Sequence, residues 1–306
     1  MQQSTNHILL VRPANFGYNS ETAESNTFQN IIPINNSVLR SQALKEFDQM
    51  VEKLKNARID ITLIEDTKTP LKPDAIFPNN WISCHANGQV ILYPMEAQNR
   101  RTERRPQILD QIASKFEITH IHDITKNEEN GRFLESTGSI IFDHNHRIAY
   151  ACISSRTDED LFFETCAFLD YQPISFQAYD QLGNQIYHTN VMMNIGIGYV
   201  VICLESIYDK TQRNIVIQTL KKSNLKIIDI SLQQINSFCG NMLELKRIKQ
   251  KNILAMSNTA FKALTSNQKA DLSNYCELFP IRVDTIEQIG GGSVRCMILE
   301  IFLPKK

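Results

Sequence analysis

The chain has 306 residues, with 32 basic against 33 acidic side chains, a formal net charge of -1, 42% hydrophobic and 21% charged residues. This is ordinary globular composition, sufficient to bury a full core as one large domain or two smaller ones. The balanced charge gives no electrostatic footprint for nucleic acid or an anionic membrane.

In chain order, the polar start Met1-Gln2-Gln3-Ser4-Thr5-Asn6-His7 has no signal-like apolar segment, and no apolar run approaches a membrane span. Seven scattered cysteines without a C-x-x-C spacing suggest neither a disulfide framework nor a zinc site, and fit a reducing cytoplasm. Residues 7–11 predict a buried strand, followed by an Asn-rich polar loop to about Asn36. The sequon Asn35-Asn36-Ser37 within it carries no weight in a chain expected to stay inside the cell. Residues 41–58 predict a helix: Ser41 can cap it, and Leu44, Phe47, Val51 and Leu54 fall on one face. Residues 61–64 predict a strand, and prolines 70, 73 and 78 punctuate the loop after it. Strands at 81–85 and 89–93 flank Asn87-Gly88, a strong hairpin signal. The basic cluster from Arg100 to Arg105 is interrupted by Glu103 and reads as a solvated loop.

A hairpin, helix and strand then recur. Strands at 139–143 and 147–152 lead to a helix near 158–169 and a strand near 173–177. Strands at 192–196 and 199–204 lead to a helix near 209–222 and a strand at 225–230. Strands at 241–246 and 252–257 lead to a helix near 259–275 and a strand at 279–283. The last strand, 296–303, is placed to close on the first. Starts at 81, 139, 192, 241 and 296 are spaced by 58, 53, 49 and 55 residues by subtraction. Such a period predicts repeated ββαβ units that bury their apolar faces round a common axis. The hairpins demand antiparallel pairs, and no G-x-G-x-x-G follows a strand into a helix, which disfavours a Rossmann-like sheet.

The residues just before each unit's first strand should then converge at one end of the axis. They are polar: Pro73 to Asn80, Phe133 to Gly138, Tyr187 to Asn190, Cys239-Gly240-Asn241, and Gly290 to Cys296. Polar groups facing a protected cavity are costly unless they bind one another or a ligand. Three consecutive glycines, Gly290 to Gly292, permit close backbone approach and positive φ ahead of Cys296. Taken singly, Cys296 also reads as a small core residue, His188 as a loop histidine and Glu135 as a turn acid. Together they form the minimal set for covalent hydrolysis at a trigonal carbon. Cys296 attacks, His188 moves protons, and Glu135 holds substrate NH groups and orients the histidine.

Long segments of the chain resemble the guanidino-group-modifying superfamily of arginine deiminase, dimethylarginine hydrolase and the amidinotransferases. They are Val11 to Asn19, Phe77-Pro78-Asn79-Asn80-Trp81, Phe133-Leu134-Glu135, Tyr187 to Met193 and Gly290 to Met297. The resemblance is nearest to the arginine-deiminase-related, citrulline-utilisation branch. It implies an α/β fold, a five-bladed propeller of ββαβ units with pseudo-five-fold symmetry, spanning 1–306 as one catalytic domain. It also implies Cys296, His188 and Glu135 as catalytic thiol, imidazole and carboxylate. Where the arginine-handling pattern has two guanidinium-gripping aspartates, this sequence has Asn80 and Asn190. An amide both donates and accepts, which suits a neutral ureido group such as that of citrulline better than a planar cation. Ser155-Arg156-Thr157 resembles the segment whose arginine meets the substrate carboxylate. Asp74 resembles the residue that meets the α-ammonium, and Arg101 is a candidate for a second carboxylate contact on closure.

The expected reaction is hydrolysis of citrulline to ornithine, ammonia and carbon dioxide, with a small amino acid as partner and no cofactor, metal, nucleic acid or membrane. Oligomeric state is open, a homo-oligomer included. Deimination of arginine or a methylarginine by the same triad and a non-catalytic amino-acid-binding module are the alternatives. A metal hydrolase using His120-x-His122 or His144-x-His146 has no well-placed third ligand.

Overall fold

Each expected hairpin forms, and each is extended by a third strand that returns in parallel after a helix. The structure is a computed structural model that describes residues 2–23, 25–26, 28–30 and 36–306, except the side chain of Asn36. Asn35, the acceptor of the sequon, lies outside the described residues, as does part of the Asn-rich loop. Strand β1 (His7–Arg12) leads through helix α1 (Asn36–Asn56) to β2 (Asp60–Glu65), which pairs with it in parallel. The next unit is β3 (Ile82–Cys84), β4 (Gln89–Leu92), α2 (Pro106–Ala113) and β5 (His120–Asp123). A short helix α3 (Ser136–Ser139) precedes β6 (Ile141–Asp143), β7 (Ile148–Cys152), α4 (Glu159–Leu169) and β8 (Gln172–Phe176). Then come β9 (Met193–Gly196), β10 (Tyr199–Ile202), α5 (Lys210–Lys222) and β11 (Lys226–Asp229). After α6 (Leu232–Ile235) the pattern returns in β12 (Leu243–Leu245) and β13 (Ile253–Ser257). It continues through helices α7 (Asn258–Ala263) and α8 (Ser266–Tyr275) to β14 (Glu277–Ile281). Helix α9 (Asp284–Gly290) leads to β15 (Leu299–Glu300), which pairs antiparallel with β1.

Among the described residues the result is five three-stranded sheets. In four of them an antiparallel hairpin is followed by a parallel strand; in the fifth, β15 from the C-terminus completes what β1 and β2 begin. The first strands neighbour one another, β15 beside β3, β6 beside β9 and β9 beside β12, so they line the axis. This is the α/β propeller of five ββαβ units. The middle strands β7, β10 and β13 are buried along their whole length, as their continuous apolar runs require of strands covered on both faces.

Several expected boundaries move. Helix α1 starts five residues before the expected 41, so Ser41 sits exposed inside it rather than capping it. Its buried stripe is Leu39, Ala43, Phe47, Met50, Val51 and Leu54, with Leu44 only half-buried. The helix near 259–275 is two helices, because Thr265 caps α8 in a reciprocal box with Gln268 and the first helix ends at Ala263, with Leu264 extended beyond it. The strand expected at 279–283 begins at Glu277, and that at 296–303 shrinks to two paired residues. Cys296 therefore lies in a turn ahead of the last strand. Sequence reasoning missed the third strand and helix of the β3–β5 unit, although Pro106 opens the helix and Ile108 and Ile112 share its buried face.

Candidate active site

The five segments that open the units carry the polar cluster, each held by local backbone geometry. Pro78–Asn80 and Thr189–Val191 are single 3-10 turns at matching positions, closed by Trp81 and Met192 N–H groups on Pro78 and Thr189 carbonyls. Glu135 precedes α3, and Ser136 takes a left-handed φ of 44° to turn the chain there. In the last segment only Gly291 has positive φ, 62°. Gly290 and Gly292 instead make room for the Phe77 ring, which a Cβ at either would meet at 2.9 Å.

Glu135 is fully buried and receives His188 Nε2 at 2.8 Å, with Arg156 Nη1 3.6 Å away and the Glu96 backbone N–H on its other oxygen. Burial alone pushes its carboxyl up. The Arg156 charge and the His188 bond outweigh that and hold it at about 2. An ionised Glu135 accepts only, so Nε2 carries the proton and Nδ1 is left with its lone pair. Burial lowers the His188 pKa, against the opposing pull of Glu135. His188 and Asn80 both lie over the bare Cα of Gly138: a Cβ there would stand 2.4 Å from Asn80 Nδ2 and 2.9 Å from His188 Nδ1.

Cys296, 6% exposed, accepts at Sγ from Asn241 Nδ2 at 3.1 Å and Asn190 Nδ2 at 3.6 Å. Burial pushes its thiol up. Tyr187, packed beside the His188 ring, lies within electrostatic reach of Cys296, Arg156, Glu135 and Asp74. His188 thus bonds Glu135, Asn190 two residues further on reaches Cys296 Sγ, and Asn80 lies with His188 over Gly138, all of them buried.

Among the described residues, four buried polar atoms in this region find no partner: Asp74 Oδ1, Asn79 Oδ1, Asn80 Nδ2 and Asn190 Oδ1. The opposite ends of these groups are taken. Asp74 Oδ2 receives Asn19 Nδ2 at 2.7 Å and the Thr22 hydroxyl, while Asn80 Oδ1 receives Arg100 Nη1 at 2.9 Å. Burial pushes the Asp74 carboxyl up, against the pull of Arg100. Arg156 is 2% exposed, lies over the Tyr187 ring, and donates to Ser25 Oγ and the Thr22 carbonyl. Asn19 therefore bonds Asp74, while Asn26 and Gln29 both bond the Gly290 carbonyl.

The basic cluster is not a solvated loop. Residues Asn99–Glu103 form a 3-10 helix in which Arg100 is buried, forked onto Glu103 and bonded to Asn80. Arg101 turns away: it donates to the Met95 and Glu96 carbonyls and pairs with Glu128. Sequence reasoning missed Arg100, Asn19, Thr22, Ser25 and Glu96. The one available signal was Glu103, spaced i+3 from Arg100 inside a basic run. The paired histidines have other uses, His122 stacking on Phe168 at 4.0 Å and His144 bonding the Tyr171 hydroxyl at 2.7 Å. Among the described residues no cluster of three metal-ligating side chains occurs. A cavity of about 600 Å³ lined by Phe28, Asp180, Phe238 and Glu287 lies beside the Gly-rich loop and contains none of the triad.

No curated protein matches the chain by sequence. Its fold is shared with the N-terminal domain of ArgZ, an arginine dihydrolase of the cyanobacterial ornithine-ammonia cycle, solved as a cysteine-to-serine mutant bound to substrate. The TM-score is 0.77 at 16% identity over 97% of this chain and 98% of that one. It is shared equally with AgrE, solved as a cysteine-to-alanine mutant with L-arginine (0.77, 16% identity), the match covering 98% of this chain but only 40% of that longer protein. A dimethylarginine dimethylaminohydrolase, solved as the adduct of a histidine-to-glycine mutant with S-methyl-L-thiocitrulline, aligns at 0.64 and 14% identity over 96% of this chain and 98% of that one. The model of the eukaryotic N,N dimethylarginine dimethylhydrolase family matches residues 12–303, nearly the whole chain. The chain therefore belongs to that family, and is a cysteine-dependent C–N hydrolase of the guanidino-group-modifying superfamily.

Proposed function

We propose that the protein hydrolyses the bond between the ureido carbon and the side-chain nitrogen of a ureido amino acid, citrulline being the best fit, with Cys296, His188 and Glu135 as the catalytic groups. The observation that carries this is the orientation of two amides. Arg100 has only donors, so it claims Asn80 Oδ1 and leaves Nδ2 as a free donor. Cys296 draws Asn190 Nδ2 and leaves Oδ1 as a free acceptor. One donor and one acceptor match a urea, whose oxygen accepts while its NH2 donates. A guanidinium only donates, and would face Asn80 Nδ2 with no acceptor to meet it.

In this reading the Cys296 thiol gives its proton to His188 Nδ1, the resulting thiolate attacks the ureido carbon, and Asn80 Nδ2 bonds the oxygen as negative charge develops on it. His188 delivers a proton to the departing nitrogen, so ornithine leaves and a carbamoyl thioester remains. His188 then takes a proton from water, which cleaves the thioester to free thiol and carbamate, and carbamate decomposes to ammonia and carbon dioxide. Glu135 holds the imidazole and its tautomer. Asp74 Oδ1 is open toward an ammonium, and Arg156 is the candidate for the substrate carboxylate, Arg101 being turned elsewhere. Seven unpaired thiols support a reducing, cytoplasmic setting. Among the described residues no helix is long and apolar enough to cross a membrane.

A second reading, arginine or a methylarginine as substrate, is favoured by the family match and by the unpartnered Asn79 Oδ1, a further acceptor. Product analysis with citrulline, arginine and dimethylarginine separates the two. Ornithine from citrulline, abolished in Cys296→Ser, is the expected result. Accumulation of citrulline from arginine, with citrulline itself untouched, assigns the second reading instead.

A further inference from the structure

Asn241 opens the β12 unit and has no role in the chemistry above, yet its side chain bonds both the nucleophile and the turn that carries it. It is 1% exposed. Its Oδ1 accepts the Arg295 N–H at 3.1 Å, and its Nδ2 reaches the Asn190 carbonyl and Cys296 Sγ, both at 3.1 Å. A backbone N–H can only donate, so Oδ1 must face Arg295 and the amide hydrogens must face the sulfur. The orientation is built in. The Asn241 N–H is tied to the Phe238 carbonyl, and the neighbouring Gly240 is pressed so close to the β9 unit that a Cβ would meet the Val191 carbonyl oxygen at 2.2 Å.

Among the described residues, the side-chain donors on Sγ are Asn241 and the more distant Asn190. His188 Nε2 is committed to Glu135. We infer that Asn241 is a positioning residue for the nucleophile, stabilising the Cys296 thiolate through Nδ2 and holding the Arg295–Cys296 turn through Oδ1. A donor aimed at sulfur favours the thiolate over the thiol, which burial alone disfavours. The charged and titratable groups around the sulfur are Arg295 on its own segment and Tyr187 from the β9 unit, with His188, Glu135 and Arg156 behind Tyr187. None of these is changed by substituting Asn241.

This rests on Cys296 being the nucleophile, as proposed above. The test follows alkylation of Cys296 by iodoacetamide, read on its own peptide by mass spectrometry, from about pH 5 to 10 in the full chain, with Cys296→Ser as control. Asn241→Ala should move the alkylation midpoint upward by about one to two pH units, the loss of one hydrogen bond to a charged group. It should lower kcat about tenfold or more with KM within about threefold. Asn241→Asp keeps the shape and the contact to Arg295 but sets a carboxylate against the sulfur, so its midpoint should lie higher still; it also preserves the readout if the alanine variant does not fold. A shared midpoint in the folded variants and the parent, or an aspartate variant at or below the parent, overturns the inference. Full turnover by Cys296→Ser would instead overturn the functional reading, while the alkylation profiles still judge Asn241.

Discussion

At Asn80, a buried partner decides which end of the side chain is left unbonded. Arg100 holds Oδ1, so an amide that could present either end presents its NH2. Asn80→Asp keeps the Arg100 contact and replaces the free donor by an acceptor. The urea oxygen then meets a carboxylate, whereas a guanidinium gains a charge-assisted partner. Citrulline kcat/KM should fall by roughly 10- to 100-fold, the value of about 1.5–3 kcal/mol for a bond to developing charge. Arginine kcat/KM should hold or rise. Steady-state kinetics on both substrates check this, and an equal loss on both would sink the donor–acceptor argument. Arg100 also shows why residue roles were only partly legible. Two adjacent arginines look alike in the sequence, but one finds Glu103 and Asn80 in the interior and its neighbour finds Glu128 and carbonyls near the surface.

Helices α4, α5 and α8 begin where a side chain bonds the third N–H of the first turn, at Asp158, Asp209 and Thr265. Asp209 is remote from the site and caps α5, whose buried face is Val216 and Leu220. Asp209→Ala leaves that donor unpaired and removes a negative charge from the helix N-terminus, at a cost of about 1 kcal/mol. A urea melt should show a lower midpoint at unchanged slope, and turnover should match the parent; loss of activity would place α5 in the chemistry. Such local signals explain why hairpins and most helices were legible. Where they failed, a competing pattern ran across the boundary: apolar residues continue through Leu264, hiding the break between α7 and α8, and polar residues hide the start of α1.

Across the molecule, the polar segments that open the units lie at the strand starts and the hairpin turns at the other end of the axis, where His85 and His144 are buried. Burial and the Arg147 charge lower His85 to about 4, and burial, His85 and Arg295 lower His144 to about 3. Folded-state pKa values below the unfolded 6.5 mean that the unfolded chain binds more protons as the pH falls. The stability is complete above about 6.5 and is lost as the pH drops through about 4 to 3. Glu135, held at about 2, adds a loss in the same direction below its unfolded value. The thermal midpoint should therefore fall steadily from about pH 6.5 to 4. His144→Gln, which can still bond Tyr171, should make that fall shallower; an unchanged slope would show that His144 does not titrate as described.

The period of hairpin, helix and strand, and with it the five-unit architecture, is written in local patterning, because strand alternation, turn residues and caps act over a few neighbours. So is the list of polar segments opening each unit, from which Cys296, His188, Glu135, Asn80 and Asn190 could be picked out together. What closure round the axis adds is orientation. Which end of each asparagine is left unbonded, which of two arginines is buried, and which amide touches the sulfur depend on contacts 20 to 106 residues apart in the chain. Such contacts belong to the packed fold, and no periodicity encodes the direction of a hydrogen bond.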